Sequence, residues 1–414
     1  MKPMDRLEPG APLPRPDRSE QLDRVLVVGA GPTGLCAALS LARSGVAVTV
    51  LEKGTWLNPE SRASTFHPPT LEILDELGVS SPIIAAGLSA PRTQFRDRTR
   101  GPVATFDLGV LGDETPFPFR IQLEQNKAAA LVLAELTSGR WDAEVRFEWR
   151  AHAISGQNAE GVTLLAGTED GFVALTAPWI IAADGAHSPI RQSLGIELAG
   201  ETYPEEFLVV SVAEELNDHL PDLEHVNYVA DPEEWLVLLR TPDHWRVLFP
   251  VNGALEESSS DAGVQQLLTG VVDIGREWDV LQWSQYVVSR RVAERLREGR
   301  VLLAGDAAHQ NSPLGGMGMN SGIQDAVSAA RRLTSVIRSG ADDLVLDEYN
   351  DNRRRVATEY VQADSHANWL VLREPDPDRR AEMQAELRAI AADPERHRER
   401  MRRTAMLDAV RDSL

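Results

Sequence analysis

The chain has 414 residues, enough for two or three domains around a sizeable core. With 43% hydrophobic and 25% charged residues it has the composition of a soluble globular protein, and its formal charge of −21 argues against a nucleic-acid partner. The single cysteine, Cys36, excludes an internal disulfide and any multi-cysteine metal site; no run approaches the roughly 18 apolar residues that span a bilayer. No membrane and no metal are expected, and a cytoplasmic location fits.

Residues 1–23 carry Pro3, Pro9, Pro12, Pro14 and Pro16 among charges, and read as a disordered leader, not a signal peptide. Val25 to Val28 is a short apolar strand. Gly34 to Ser44 follows as a helix with small residues on its packing face, Cys36 among them, and Gly45 ends it. Ala47 to Leu51 is the next strand, closed by Glu52. Helices are expected over Pro68–Leu77 and Gln125–Leu136, and a buried strand over Trp179–Ala183. From Phe207 to Val251 the runs Phe207–Val212, Val226–Val229, Trp235–Leu239 and Trp245–Pro250, separated by prolines, predict an antiparallel sheet. A helix over Asp261–Gly275, strands at Trp283–Val288 and Arg300–Ala304, and a long helix over Asn320–Arg338 complete the body. The tail beyond Tyr349 is charged and helical, with breaks at Pro375, Pro377 and Pro394, and its arginine runs read as a solvated face.

Three stretches carry the chemistry. Gly29-x-Gly31-x-x-Gly34 sits between strand and helix, where Gly29 permits the tight turn, Gly31 lets backbone approach a pyrophosphate, and Gly34 lets helix and strand pack. The pyrophosphate then meets a helix N-terminus, with Glu52 placed to accept from a non-phosphorylated ribose. This suits the adenosine of FAD or NAD and does not choose between them. The second stretch is Asp184-Gly185-Ala186-His187-Ser188-Pro189-Ile190-Arg191, after a buried strand. The third is Gly305-Asp306-Ala307-Ala308-His309, followed by Pro313-Leu314-Gly315-Gly316-Met317-Gly318-Met319-Asn320 at the start of the long helix.

In this order and spacing the three stretches resemble the aromatic-ring hydroxylase family, single-component FAD-dependent monooxygenases with the p-hydroxybenzoate hydroxylase fold. The likeness extends over residues 24–370. Asp231-Pro232-Glu233-Glu234-Trp235 and Trp245-Arg246-Val247 look most like members acting on small phenols, nitrophenols included. The implied fold class is α/β with an α+β insert. A discontinuous Rossmann-like FAD-binding domain (24–200 and 285–345) would be interrupted by an antiparallel-sheet substrate domain (201–284). Part of 60–120 would serve the substrate side, and 346–414 would form charged C-terminal helices.

The resemblance further implies tightly bound, non-covalent FAD, held by Gly29, Gly31, Pro32, Thr33, Gly34, Glu52 and Lys53. Arg62 would lie against the flavin, Gln125 near its phosphates or ribityl chain, and Asp306 beside Gly305 on the ribityl chain. Asp184 and Gly185 would serve FAD and a visiting NADH or NADPH. Pro313, Gly315, Gly316, Met317, Gly318, Met319 and Asn320 would press on the ring. Oxygen would enter as O2, through a C4a-hydroperoxyflavin, and pass to a small aromatic substrate. Candidate bases are His67, His219 and His225; Trp235 or Trp245 would wall the pocket. The chain would be a monomer or a homodimer. A same-fold reductase or halogenase, a plain NAD dehydrogenase, and a flavin-binding redox sensor without turnover are the alternatives.

Overall fold

A computed structural model describes residues 2–7, 12–60, 63–251, 260–411 and 413. The centre of the nucleotide domain is a six-stranded sheet. Its order is Arg297–Glu298, Val301–Leu303, Ile180–Ala182, Val25–Val28, Val48–Glu52 and Ala143–Phe147, parallel throughout except at the first strand. Val25–Val28 and Val301–Leu303 are wholly buried, which explains their continuous apolar sequence. Helices Pro32–Arg43 and Gly318–Ser339 pack against one another beside this sheet. The register sets Val28, Ala182 and Leu303 side by side, so the three motifs, each directly after one of these strands, emerge at one carboxyl edge. Ligands bind at that edge in open parallel sheets.

The inserted part is an eight-stranded sheet. Four strands lie near their expected positions: the second half of Leu198–Val212, then Val226–Ala230, Leu236–Arg240 and Trp245–Val251. Val280–Ala293 pairs along almost the whole of Leu198–Val212. At the other side Arg92–Asp97 joins in parallel to Val226–Ala230, and Gly101–Asp107 closes the edge against it. Alternation along Phe207–Val210 divides the side chains between two cores. Phe207 and Val209 join Phe95, Phe106, Tyr228 and Trp235 on one face; Leu208 and Val210 join Trp245, Leu268 and Trp278 on the other. Helix Asp261–Val271 covers the second face, whereas Pro377–Ala392 and Pro394–Thr404 lie along the first, tied by Gln384 Nε2 to Asp97 Oδ2 (2.8 Å) and by Asp107 N to His397 Nε2 (3.0 Å).

Several expectations need correction. The leader is not disordered throughout. Arg18–Gln21 pairs in parallel with Val173–Thr176, extending the antiparallel strands Arg150–Gln157, Val162–Thr168 and Gly171–Ala177, and the Pro3 carbonyl accepts from His152 (2.7 Å). This strand occupies a sheet edge and is mostly exposed, so it carries no apolar pattern to read. The helix starting at Asp261 ends at Val271, four residues before Gly275. A turn takes over there, with Gly275 N donating to Asp273 Oδ1 and Gly275 at φ +73°. The arginine runs of the tail are not all solvated, because Arg353 is fully buried.

Candidate active site

Two helix N-termini open at the shared sheet edge, and neither has a side-chain cap. Pro32–Arg43 begins after Gly31 with Pro32 in its first turn; Gly318–Ser339 begins after Met317. Uncapped N–H groups at helix starts favour anions. The packing is close at Thr33, where a Cβ on Gly305 would come within 2.8 Å of its Oγ1 and one on Gly322 within 2.6 Å. Within the fingerprint, a Cβ on Gly34 would approach the Gly29 oxygen to 1.9 Å, whereas one on Gly31 or Gly185 would meet no protein atom within 4 Å. Gly29 and Gly34 are therefore fixed by the protein's own backbone. Gly31 and Gly185 border open space.

Around this edge the polar groups are already oriented. Glu52 accepts from Ala30 N and Gly54 N (both 2.9 Å), which pins the glycine loop to the end of the second strand; Lys53 is exposed. Arg191 donates to the carbonyls of Ala307 (3.0 Å) and Ala186 (3.2 Å), so it joins the second motif to the third. Asp184 Oδ2 accepts from Ile190 N (3.3 Å), while its buried Oδ1 has no hydrogen-bond partner among the described residues. Asp306 is exposed at the same edge. Gln125 opens its helix and reaches the Glu60 carbonyl (3.4 Å); Arg62 lies outside the described residues. Uncapped helix starts, open ground at Gly31 and Gly185, and an orphaned buried carboxylate oxygen are what an FAD pyrophosphate and ribityl chain require.

Burial raises the Asp184 pKa to about 6 from 3.8. With the folded value above the unfolded one, the stabilising contribution belongs to the protonated acid. It is complete below about pH 4 and lost as pH rises through about 6. Asp184→Asn in the flavin-free protein should therefore raise the melting temperature at pH 8, with the gain vanishing toward pH 4. An equal gain at both pH values would contradict this.

The loop Pro313–Asn320 is held from below by Asn320. Its Oδ1 accepts from His67 N (2.9 Å) and its Nδ2 donates to the carbonyls of Thr65 (2.8 Å) and Gly316 (2.7 Å). Gly315 and Gly316 take φ +114° and +66°, backbone that favours glycine, and Met317 is buried while Pro313, Gly318 and Met319 are half-buried. His67 is fully buried, and its Nε2 pairs with the Gly315 carbonyl (2.9 Å). Desolvation and then the nearby Arg120 hold its pKa well below the usual value, so the ring is neutral.

Above this loop lies a narrow pocket. Gly315 and Met317 form one side, Phe95, Phe106, Tyr228, Thr93 and Arg120 the sheet side, and Asp364, Asn368, Arg400, Met401 and Thr404 of the C-terminal helices close it. Of the candidate bases only His67 reaches this region, through Gly315. His219 is exposed near Trp278 and His225 pairs with the Ser89 carbonyl. Trp235 packs on Phe207 in the sheet core, and Trp245, on the opposite face, donates to Glu215 (2.6 Å); neither lines the cavity. The sequence reading missed Arg120, Tyr228, Phe95 and Phe106. Tyr228 meets the hairpin carrying Phe95 and Phe106 only through long-range pairing, and Arg120 arrives on Arg120–Gln122 of a separate small sheet; two phenylalanines eleven residues apart in Arg92–Asp107 are the hint.

A buried ionic cluster beneath the third motif was also missed. Asp325 Oδ2 accepts from Gly305 N (3.0 Å) and His309 Nε2 (2.7 Å), and its Oδ1 from Arg353 Nε (2.6 Å). Arg353 also reaches Ser413 Oγ (2.7 Å) and Ser321 Oγ (3.2 Å). A lone acid inside the buried run Ile323–Ala330 was the available signal.

Comparison with known proteins agrees with this geometry. The family described as FAD binding domain matches residues 23–364. The chain belongs to the FAD-dependent aromatic monooxygenases. It is 33% identical over 371 residues to para-nitrophenol 4-monooxygenase of a Pseudomonas species, covering 87% of this chain and 90% of that one. It is 29% identical over 383 residues to 6-hydroxy-3-succinoylpyridine 3-monooxygenase of Pseudomonas putida, covering 92% and 96%. Among solved structures, p-nitrophenol 4-monooxygenase from Pseudomonas putida superposes with a TM-score of 0.90 at 30% identity, covering 95% of this chain and all of that one. Aklavinone-11 hydroxylase, solved with FAD and aklavinone, superposes at 0.77 with 29% identity, covering 85% of this chain and 69% of that one. No helix among the described residues is long and apolar enough to cross a membrane.

Proposed function

We propose that this monooxygenase hydroxylates a small phenol with NADH or NADPH as electron donor, nitrophenols being the nearest substrate class. The observation that carries the reading is the cavity, an aromatic-walled chamber with the Gly315–Met317 loop on one side. Gly31, the start of helix Pro32–Arg43 and Glu52 would hold the dinucleotide end of FAD, with Asp184 and Asp306 along its ribityl chain. When bound and reduced, FAD supplies the activation of O2. The uncapped start of Gly318–Ser339 offers N–H groups to negative charge on the ring. Phe95, Phe106 and Met317 exclude water from the ring to be hydroxylated, and Asn320 fixes the loop against which it lies. Para-nitrophenol and pentachlorophenol enzymes among its relatives support the substrate class.

The test is NADH and NADPH oxidation by the flavin-loaded protein over a panel of substituted phenols, with product analysis. Substrate-stimulated oxidation with a hydroxylated product is expected; flavin reduction without oxygenated product would favour a reductase or a sensor. Asp306→Ala should lower the FAD retained per purified chain, and unchanged flavin content would remove that assignment.

A further inference from the structure

Arg120 is the most unusual group in the cavity. It is 4% exposed, its Nη1 donates to Thr93 Oγ1 (2.5 Å), and its buried Nε has no hydrogen-bond partner among the described residues. Desolvation lowers its pKa. The one carboxylate lining the chamber among the described residues, Asp364, is bound to Arg403 (2.7 Å). Its neighbours are neutral or cationic: His67 is held uncharged, and burial pushes the Tyr228 phenol up, against the opposing pull of Arg120 and a hydrogen bond from Gly315. A second guanidinium, Arg400, lies over Phe106 (4.8 Å) and Phe95 (5.3 Å) on the opposite wall. An unpaired buried guanidinium is costly to keep, and the cost falls once a ligand brings the missing negative charge. In a chain of net charge −21, this is a cationic spot enclosed by aromatic side chains.

We propose that Arg120 anchors a negatively charged oxygen on the substrate ring, so that the site selects phenols presenting a phenolate or a nitro oxygen over uncharged, less polar ones. The proposal rests on the phenol reading above and adds the residue that sets its selectivity. A guanidinium facing the phenol oxygen also favours the phenolate, the electron-rich form that accepts an oxygen atom.

The experiment titrates FAD-loaded enzyme with p-cyanophenol at a pH where it is ionised, and separately with p-nitroanisole, following the flavin absorbance. The first ligand presents only a phenolate and the second only a nitro group. Arg120→Gln should weaken one of the two by about 10- to 100-fold, the size expected for loss of a charge-assisted hydrogen bond. Which one weakens identifies the anchored oxygen, and Arg120→Lys should restore part of the affinity. Unchanged dissociation constants for both ligands in Arg120→Gln, with normal FAD content, would overturn the anchor and leave the phenol reading standing. Wild-type enzyme that binds neither ligand would overturn both. Should Arg120→Gln fail to fold, Arg120→Met, which removes the charge and keeps the length, takes its place, and wild-type affinity for both ligands in that variant would overturn the anchor.

Discussion

Asp325→Ala should destabilise the protein by about 3–5 kcal/mol, the cost of leaving a buried charge without its partner. Asp325 and Arg353 are both fully buried, and the carboxylate also receives Gly305 N and His309, so its removal strands three donors at once. Asp325→Asn should cost less, because an amide oxygen can still accept from Gly305 N, but it leaves Arg353 without a counter-charge. His309 and Arg353 hold the Asp325 carboxyl at about 2, below the unfolded value near 3.8. A depressed acid pKa means that the stabilisation is present above about pH 4 and lost as pH falls toward 2. Urea unfolding of the two variants at neutral pH measures the effect. A loss of under about 1 kcal/mol for Asp325→Ala would place the cluster among surface pairs in energetic terms.

Flavin binding should fail in two distinguishable ways within the glycine fingerprint. A Cβ at Gly29 would lie 2.3 Å from the Ala183 oxygen, at φ +103°. Gly29→Ala must therefore move the strand end that carries Asp184, and both the melting temperature of the flavin-free protein and its FAD content should fall. Gly31→Ala meets nothing of the protein within 4 Å. It should fold with the wild-type melting temperature when flavin-free, yet retain little FAD, because the methyl stands where the pyrophosphate would approach. Full FAD content in Gly31→Ala would refute that placement. Gly156→Ala, also without close neighbours and on the strand Arg150–Gln157, serves as the neutral control.

What the sequence disclosed, and what it hid, follows from the range of the interactions. The three motifs are local: each is a strand end followed by a turn, and continuous runs such as Val25–Val28 and Val301–Leu303 announce buried parallel strands directly. That the motifs meet at one edge follows from the parallel order. The cavity is different. Arg120, Tyr228, Phe95 and Arg400 lie up to 305 residues apart in the chain, and become neighbours only through the parallel pairing of Arg92–Asp97 with Val226–Ala230, the small sheet that carries Arg120–Gln122, and the return of the C-terminal helices. No local pattern encodes that. By position Trp235 and Trp245 fit a pocket wall, but Trp235, just before Leu236–Arg240, and Trp245, on Trp245–Val251, pack into the two cores instead. Arg353 belongs to a run that reads as solvated because its partner, Asp325, lies on another helix. Cys36 was legible: it is buried on the first helix, and burial pushes its thiol up to about 12, so it is not a nucleophile.

The most direct test of the account is isotopic. The purified protein, loaded with FAD and supplied with NADH or NADPH and p-nitrophenol under 18O2, should yield a hydroxylated product carrying one labelled oxygen atom per turnover. Product without label, or reduced nicotinamide consumed with no oxygenated product from any phenol of the panel, would contradict the assignment of this chain as a phenol monooxygenase.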